Sequence, residues 1–144
     1  RVNRYALTSQ SVPLAIETEN AATVMDSLIL CKFLRRVFTE FFQSAAEMLA
    51  VTTGWDVSAE ELVATANRIV SAKKLFNIRA GWTPQEDSLP DRFLEEPQQD
   101  NSEARLSPEQ LQVAVRLYNE LRGWNADGSI TSGRADNLGL PANG

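Results

Sequence analysis

One punctuation pattern constrains this fold more than any other feature, and the chain uses it twice: a serine-led capping sequence, an apolar stripe at helical spacing, then a glycine stop. "SAEE" places Ser58 as an N-cap and Glu61 at the third helical position, so each side chain can satisfy a backbone N–H that the helix itself leaves unpaired. Leu62, Ala66, Ile69 and Phe76 continue along one face, and the helix is expected to end near Gly81. "SPEQ" repeats the signal, with Ser107 as cap, Pro108 at the first helical position and Gln110 as the reciprocal partner. Leu111, Ala114, Val115, Tyr118 and Leu121 form the expected buried face there, and Gly123 supplies the stop. A third stripe, Leu34, Val37, Phe38, Phe41, Ala45, Met48 and Leu49, predicts a helix from residue 31 to Gly54. Residues 16 to 30 predict a further helix of weaker periodicity. No stretch alternates as a strand. The expected fold is all-α, a single irregular helical domain over residues 1–144 with about four helices and one long wrapping loop.

That loop is "GWTPQEDSLPDRFLEEPQQDNSEARL". It carries Pro84, Pro90 and Pro97 and seven acids against two arginines, which argues for a non-repetitive connection. Trp82, Leu89, Phe93 and Leu94 are spaced as anchors that pin it to a surface. Its acids, between residues 86 and 103, show no spacing of metal ligands. The tail "GWNADGSITSGRADNLGLPANG" is rich in glycine and polar turn formers and is expected to end in loops.

Composition narrows the chemistry. The chain holds no histidine and one cysteine, Cys31. The first fact removes the Ser-His-Asp triad, the Cys-His pair and ordinary histidine-ligated zinc or iron sites. The second excludes an internal disulfide and agrees with a reducing compartment. With no charged-then-apolar leader at its start, the chain is expected in the cytoplasm. A net charge of −5 argues against nucleic acid as partner, and no apolar run reaches the ~20 residues of a membrane-spanning helix. Taken alone, Cys31 reads as a buried thiol, since free cysteine is among the most buried residue types, and Asp26 reads as a surface or capping acid. Trp55, Trp82 and Trp124 read as core or loop anchors. Arg35 and Arg36 read as a solvated helix face, with attraction of an acidic partner as the second reading.

Four segments, "MDSLILCKF", "TGWDVSAEELVATANRIVSAKKLFNIRAG", "DSLPDRFLEEP" and "LYNELRGWNADGSIT", follow one another in an order and spacing that resembles one family. They are similar to the carboxy-terminal helical domain of the tungsten-containing aldehyde:ferredoxin oxidoreductases, over roughly residues 20 to 140. The resemblance implies a short D-x-x-G-L-C motif in which Asp26 matches the aspartate, Leu30 the leucine and Cys31 the cysteine. In such enzymes the cysteine is the last thiolate ligand of a [4Fe-4S] cluster, while the aspartate and the adjoining backbone hold a pterin of the tungsten (or molybdenum) bis-pterin cofactor. Thiolate suits cluster iron, and a carboxylate accepts paired N–H donors. The implied partners are the upstream domains of the same enzyme, ferredoxin and a small aldehyde. No residue of this chain is expected to be the catalytic acid or base. The isolated domain is expected to be inactive and to hold no cofactor, because the other ligands lie upstream; the opening "RVNRYALTSQ" fits a chain cut from something longer.

One position departs from the motif. Where the family has glycine, this chain has Ile29, a β-branched residue for which φ > 0 is costly. Either the local backbone differs here, or pterin binding is altered or lost. The second functional hypothesis follows from that departure: a non-catalytic helical scaffold descended from the enzyme. Some exposed apolar surface is expected near residues 24 to 42.

Overall fold

The computed structural model describes residues 7–97 and 104–141. Among them there are six α-helices and no strand: α1 (Ser11–Ser27), α2 (Phe41–Thr53), α3 (Ala59–Arg79), α4 (Arg92–Glu95), α5 (Pro108–Leu121) and α6 (Ser132–Asn137). Two 3-10 turns, Lys32–Arg36 and Pro84–Glu86, complete the secondary structure. The four helices of seven residues or more agree with the all-α expectation. No helix among the described residues is long and apolar enough to cross a membrane.

Both capping boxes form. The Ser58 N–H donates to Glu61 Oε2 at 2.8 Å, and the Glu61 N–H donates to Ser58 Oγ at 3.2 Å. At α5 the Ser107 N–H donates to Gln110 Oε1 at 3.0 Å, with the return bond from the Gln110 N–H to Ser107 Oγ at 3.2 Å. The stops form as well: α3 and α5 are closed by Gly81 and Gly123, both at positive φ.

The chain divides into two compact units, residues 17–73 and residues 1–16 with 74–144. In the first, Ala45, Ala46 and Leu62 are buried, and Leu28, Phe41, Phe42, Leu49 and Val57 pack against them. Phe41 and Phe42 meet edge to face at 5.3 Å between ring centroids, a favoured aromatic geometry. The Asn20 Nδ2 donates to Asn67 Oδ1, tying α1 to α3 within this unit.

In the second unit a buried ammonium organises the packing. Lys74 Nζ lies 3.1 Å from Asp87 Oδ2, 3.1 Å from the centroid of Trp82 and 5.7 Å from that of Trp124. The indole Nε1–H of Trp82 donates to the other oxygen of Asp87 at 3.1 Å. Thus Trp82 does anchor the start of the long connection, through a cation and a carboxylate rather than through apolar contact alone. Trp124 is buried and stacks edge to face on Tyr118 at 5.8 Å. Asn119 donates from Nδ2 to the Ala126 carbonyl, and Gly128 approaches so closely that a Cβ there would sit 3.0 Å from Trp82 and 3.2 Å from Lys74 Nζ.

Several expectations are corrected. The helix predicted from residue 31 is broken: a 3-10 turn ends at Arg36, and α2 starts only at Phe41. The β-branched Val37 and Thr39 flank Phe38 there, and all three are weak helix formers. Consequently Val37 is exposed instead of lining a stripe. Phe76 and Leu121 are exposed too, because the buried face of α3 passes through Leu62, Ala66, Val70 and Leu75, while α5 turns its inner side at Asn119. Leu89 and Phe93 are exposed, so they do not anchor the connection, whose residues 98–103 lie outside the described residues. Trp55 is exposed and anchors no core. The tail forms α6, capped by Thr131, whose Oγ1 accepts from the Arg134 N–H at 3.2 Å.

Candidate functional site

The segment from Met25 to Phe33 is a helix end, a turn and a short 3-10 start. At the end of α1 the Leu30 N–H donates to the Met25 carbonyl at 2.9 Å, and the Ile29 N–H donates to the Asp26 carbonyl at 3.2 Å. This pair of bonds, six-to-one and five-to-two, is the Schellman cap, which needs a left-handed residue just past the helix. That residue is Ile29, at φ 55°. It is the sole non-glycine residue with positive φ among the described residues.

The chain supplies its own comparison. After α3 the Gly81 and Trp82 N–H groups make the same two bonds, to Ile78 and Asn77. After α5 they come from Gly123 and Trp124, and after α6 from Gly139 and Leu140. Gly81, Gly123 and Gly139 sit at φ 100°, 71° and 64°. The same conformation therefore recurs at four helix ends, with glycine at three and isoleucine at one. The fold requires the left-handed turn; the isoleucine merely makes it costly.

The structure thus resolves the two alternatives raised by Ile29 in one respect. The local backbone keeps the geometry for which glycine is suited. Beyond the turn, Leu30 is half-buried, and Cys31 takes an extended conformation (φ −61°, ψ 126°) as the cap of the 3-10 turn, its carbonyl accepting from the Leu34 N–H at 2.9 Å. The thiol residue is exposed, which corrects the reading of Cys31 as a buried core thiol. Met25 and Val24, immediately before, are buried and fix the end of α1.

Asp26 is also exposed. Its Oδ1 lies 2.5 Å from Lys32 Nζ, an ion pair formed by two half-exposed side chains. The turn brings these residues together although they are six apart, a spacing that no straight helix would pair. Sequence reasoning missed Lys32 for that reason, since an isoleucine at position 29 gives no sign that the chain folds back there. Arg35 is exposed on the 3-10 turn. Exposed Ile29, Phe33 and Val37 put apolar surface in the region expected to carry it, whereas Val24 and Met25 do not contribute.

The donor set at this helix end is one sulfur and one carboxylate, both open to solvent. No group of three or more His, Cys, Asp or Glu side chains converges on a metal position among the described residues. A thiolate and a carboxylate fit an iron–sulfur and pterin environment in kind, but they can make up only one part of its coordination. The partners would have to come from outside this chain.

Residues 1–140 match a model of the family described as aldehyde ferredoxin oxidoreductase, domains 2 and 3. The chain is 33% identical to the tungsten-containing aldehyde ferredoxin oxidoreductase of Pyrococcus horikoshii, 32% to that of Thermococcus kodakarensis and 30% to that of Pyrococcus furiosus. Each alignment covers 97% of this chain and 23% of the relative, so the chain spans about a quarter of the length of these enzymes. With the family match over residues 1–140 and these identities over 97% of its length, the chain belongs to the aldehyde ferredoxin oxidoreductase family.

Proposed function

We propose that this chain is the part of a tungsten-containing aldehyde oxidoreductase that contributes Cys31 as one thiolate ligand of a [4Fe-4S] cluster and Asp26 as a hydrogen-bond acceptor for the pterin. The observation that carries the reading is the left-handed turn at Ile29, which keeps Asp26 and Cys31 at the open end of one capped helix. When bound, the metal cofactor would supply the chemistry that oxidises an aldehyde to a carboxylic acid, and the cluster, held in part by Cys31, would supply a path for the electrons toward ferredoxin.

The residues of this chain act by holding. The Leu30 N–H is engaged in the helix cap, so Leu30 serves as the anchor of the turn rather than as a donor to the cofactor. Asp26 is paired with Lys32, but an exposed pair is worth only ~0–1 kcal/mol, so the carboxylate can turn to better-placed N–H donors at little cost. Lys32 then remains beside it as a positive charge. No described residue takes the part of catalytic acid or base in this reading. The scaffold alternative rests on Ile29 and on the partner ligands that lie outside this chain; the left-handed turn at Ile29 removes only the part of that support that called for an altered backbone.

The test is metal content and aldehyde-dependent dye reduction in the protein at its natural length, beside Asp26→Ala. The reading expects tungsten and pterin in the wild type, with both reduced in Asp26→Ala while iron is retained. Unchanged tungsten and pterin in the variant would remove Asp26 from the site. A folded wild type without tungsten or molybdenum would refute the enzymatic reading.

A further inference from the structure

Between Asp26 and Glu40 the chain carries three cations, Lys32, Arg35 and Arg36, and no acid, although its net charge is −5. This local excess of positive charge falls around the single cysteine, Cys31. Lys32 is the nearest of the three in the chain: it follows Cys31 directly and is the first residue of the 3-10 turn that Cys31 caps. Its ammonium folds back across the left-handed bend at Ile29 to reach Asp26 Oδ1, 2.5 Å away. The charge is thereby tethered to both ends of the segment 26–32, which contains Cys31. An exposed pair of this kind adds little to the stability of a fold, so the stability of the chain does not account for a cation at this position.

We propose that Lys32 tunes electron uptake at this site: its tethered positive charge raises the reduction potential of the [4Fe-4S] cluster that Cys31 helps to hold. The inference rests on the proposed function and adds an electrostatic residue to it. A cluster held by thiolates is a net negative group, and it becomes more negative when it takes up an electron; net charge is among the quantities that set its potential. A cation nearby stabilises the reduced form more than the oxidised one. Consecutive Cα atoms lie ~3.8 Å apart, so a charge on residue 32 stays close to a ligand on residue 31. At a separation of about 10 Å and an effective dielectric constant of about 20, one unit charge shifts the uptake equilibrium by about tenfold. The cluster takes up one electron, supplied by aldehyde oxidation at the metal cofactor, and Lys32 itself gains and loses nothing. Lys32 acts through its field on the cluster rather than on the aldehyde.

The test is a redox titration of the cluster followed by electron paramagnetic resonance, in the protein at its natural length, purified without oxygen and reduced with dithionite. No aldehyde is added, so the readout is independent of turnover. Lys32→Met is expected to make reduction about tenfold less favourable, which lowers the midpoint by about 59 mV for a one-electron couple. Lys32→Glu changes the charge by two units and is expected to lower the midpoint by about twice as much. Lys32→Arg keeps the charge and is expected to titrate as the wild type does. An unchanged midpoint in Lys32→Met with iron retained would overturn the role of Lys32 and leave that of Cys31 standing. Equal shifts in all three variants would overturn it too, since they would follow the shape of the side chain and not its charge. Iron lost from folded Lys32→Met would make the lysine a support for the cluster instead of a regulator of its potential. A folded wild type with no cluster to titrate would overturn the proposed function, and the role of Lys32 with it.

Discussion

Replacing Ile29 by glycine in the 144-residue chain should stabilise it, an unusual direction for removing a large apolar side chain. The left-handed conformation costs an L-residue about 1–2 kcal/mol, and glycine relieves that cost. Against this stand two losses. The side chain is 91% exposed, so the burial lost is about a tenth of the ~1.5–3 kcal/mol of a fully buried isoleucine, or roughly 0.2 kcal/mol. Glycine also loosens the unfolded chain, which costs about 0.4–1 kcal/mol. The balance is a gain of about 0.5 kcal/mol, and up to about 1 kcal/mol where the strain lies at the upper end, which raises Tm by about 2–4 °C for a chain of this size. The assay is thermal and urea unfolding followed by circular dichroism. Gly54→Ala is the mirror control, since Gly54 lies at φ 74° with nothing within 4 Å of an added Cβ. It should lose about 1 kcal/mol or more from the backbone alone. An Ile29→Gly chain less stable than wild type would refute the left-handed assignment and the reasoning built on it.

Other perturbations read other parts of the account. Lys74→Met leaves Asp87 and the Trp82 indole without their cation and should cost about 2–3 kcal/mol in urea unfolding, with a change in tryptophan fluorescence; an unchanged unfolding midpoint would show that the cluster contributes nothing. Gly128→Ala should cost about 2 kcal/mol or more, because φ is +83° and the new Cβ would sit 3.0 Å from Trp82; an effect below that of Gly54→Ala would contradict the close approach. Asp127 is held below the ordinary aspartate range, first by the hydroxyl of Ser129 and then by the Ser129 N–H. Because the folded value is depressed, its contribution to stability is present above the unfolded aspartate value and disappears as pH falls through the folded one. Ser129→Ala should move the carboxyl upward in an NMR titration, and no movement would rule out the hydroxyl as the main cause.

Much of this fold is legible in local sequence, for reasons that the helix ends make plain. Ser58 with Glu61, and Ser107 with Gln110, announce their helices because a cap depends on residues three apart, and Gly81 and Gly123 announce the stops because few other residues tolerate left-handed φ. The same rule hides the end of α1: isoleucine is the wrong residue for that position, so only the structure reveals the turn there. The stripe from Leu34 to Leu49 misled because periodicity counts apolar residues and ignores the weak helix propensity at Val37–Thr39 that breaks the helix. α6 escaped notice because six residues carry too little periodicity to register, although Thr131 caps it well. At the candidate site, the residue types of Asp26 and Cys31 were readable from the family pattern. Their exposure was not, nor was the Asp26–Lys32 pair, which exists only because the chain doubles back at Ile29.

The central claim is that the Cys31 thiol binds cluster iron, and elemental analysis tests it most directly. The protein at its natural length, purified without oxygen, is assayed for iron and acid-labile sulfide beside Cys31→Ser, a substitution at an exposed position that leaves the helix cap intact. The account predicts about four irons per chain in the wild type, as a [4Fe-4S] cluster requires, and a sharp loss in the variant with the fold unchanged. Equal iron in the two folded proteins, or none in either, would contradict it.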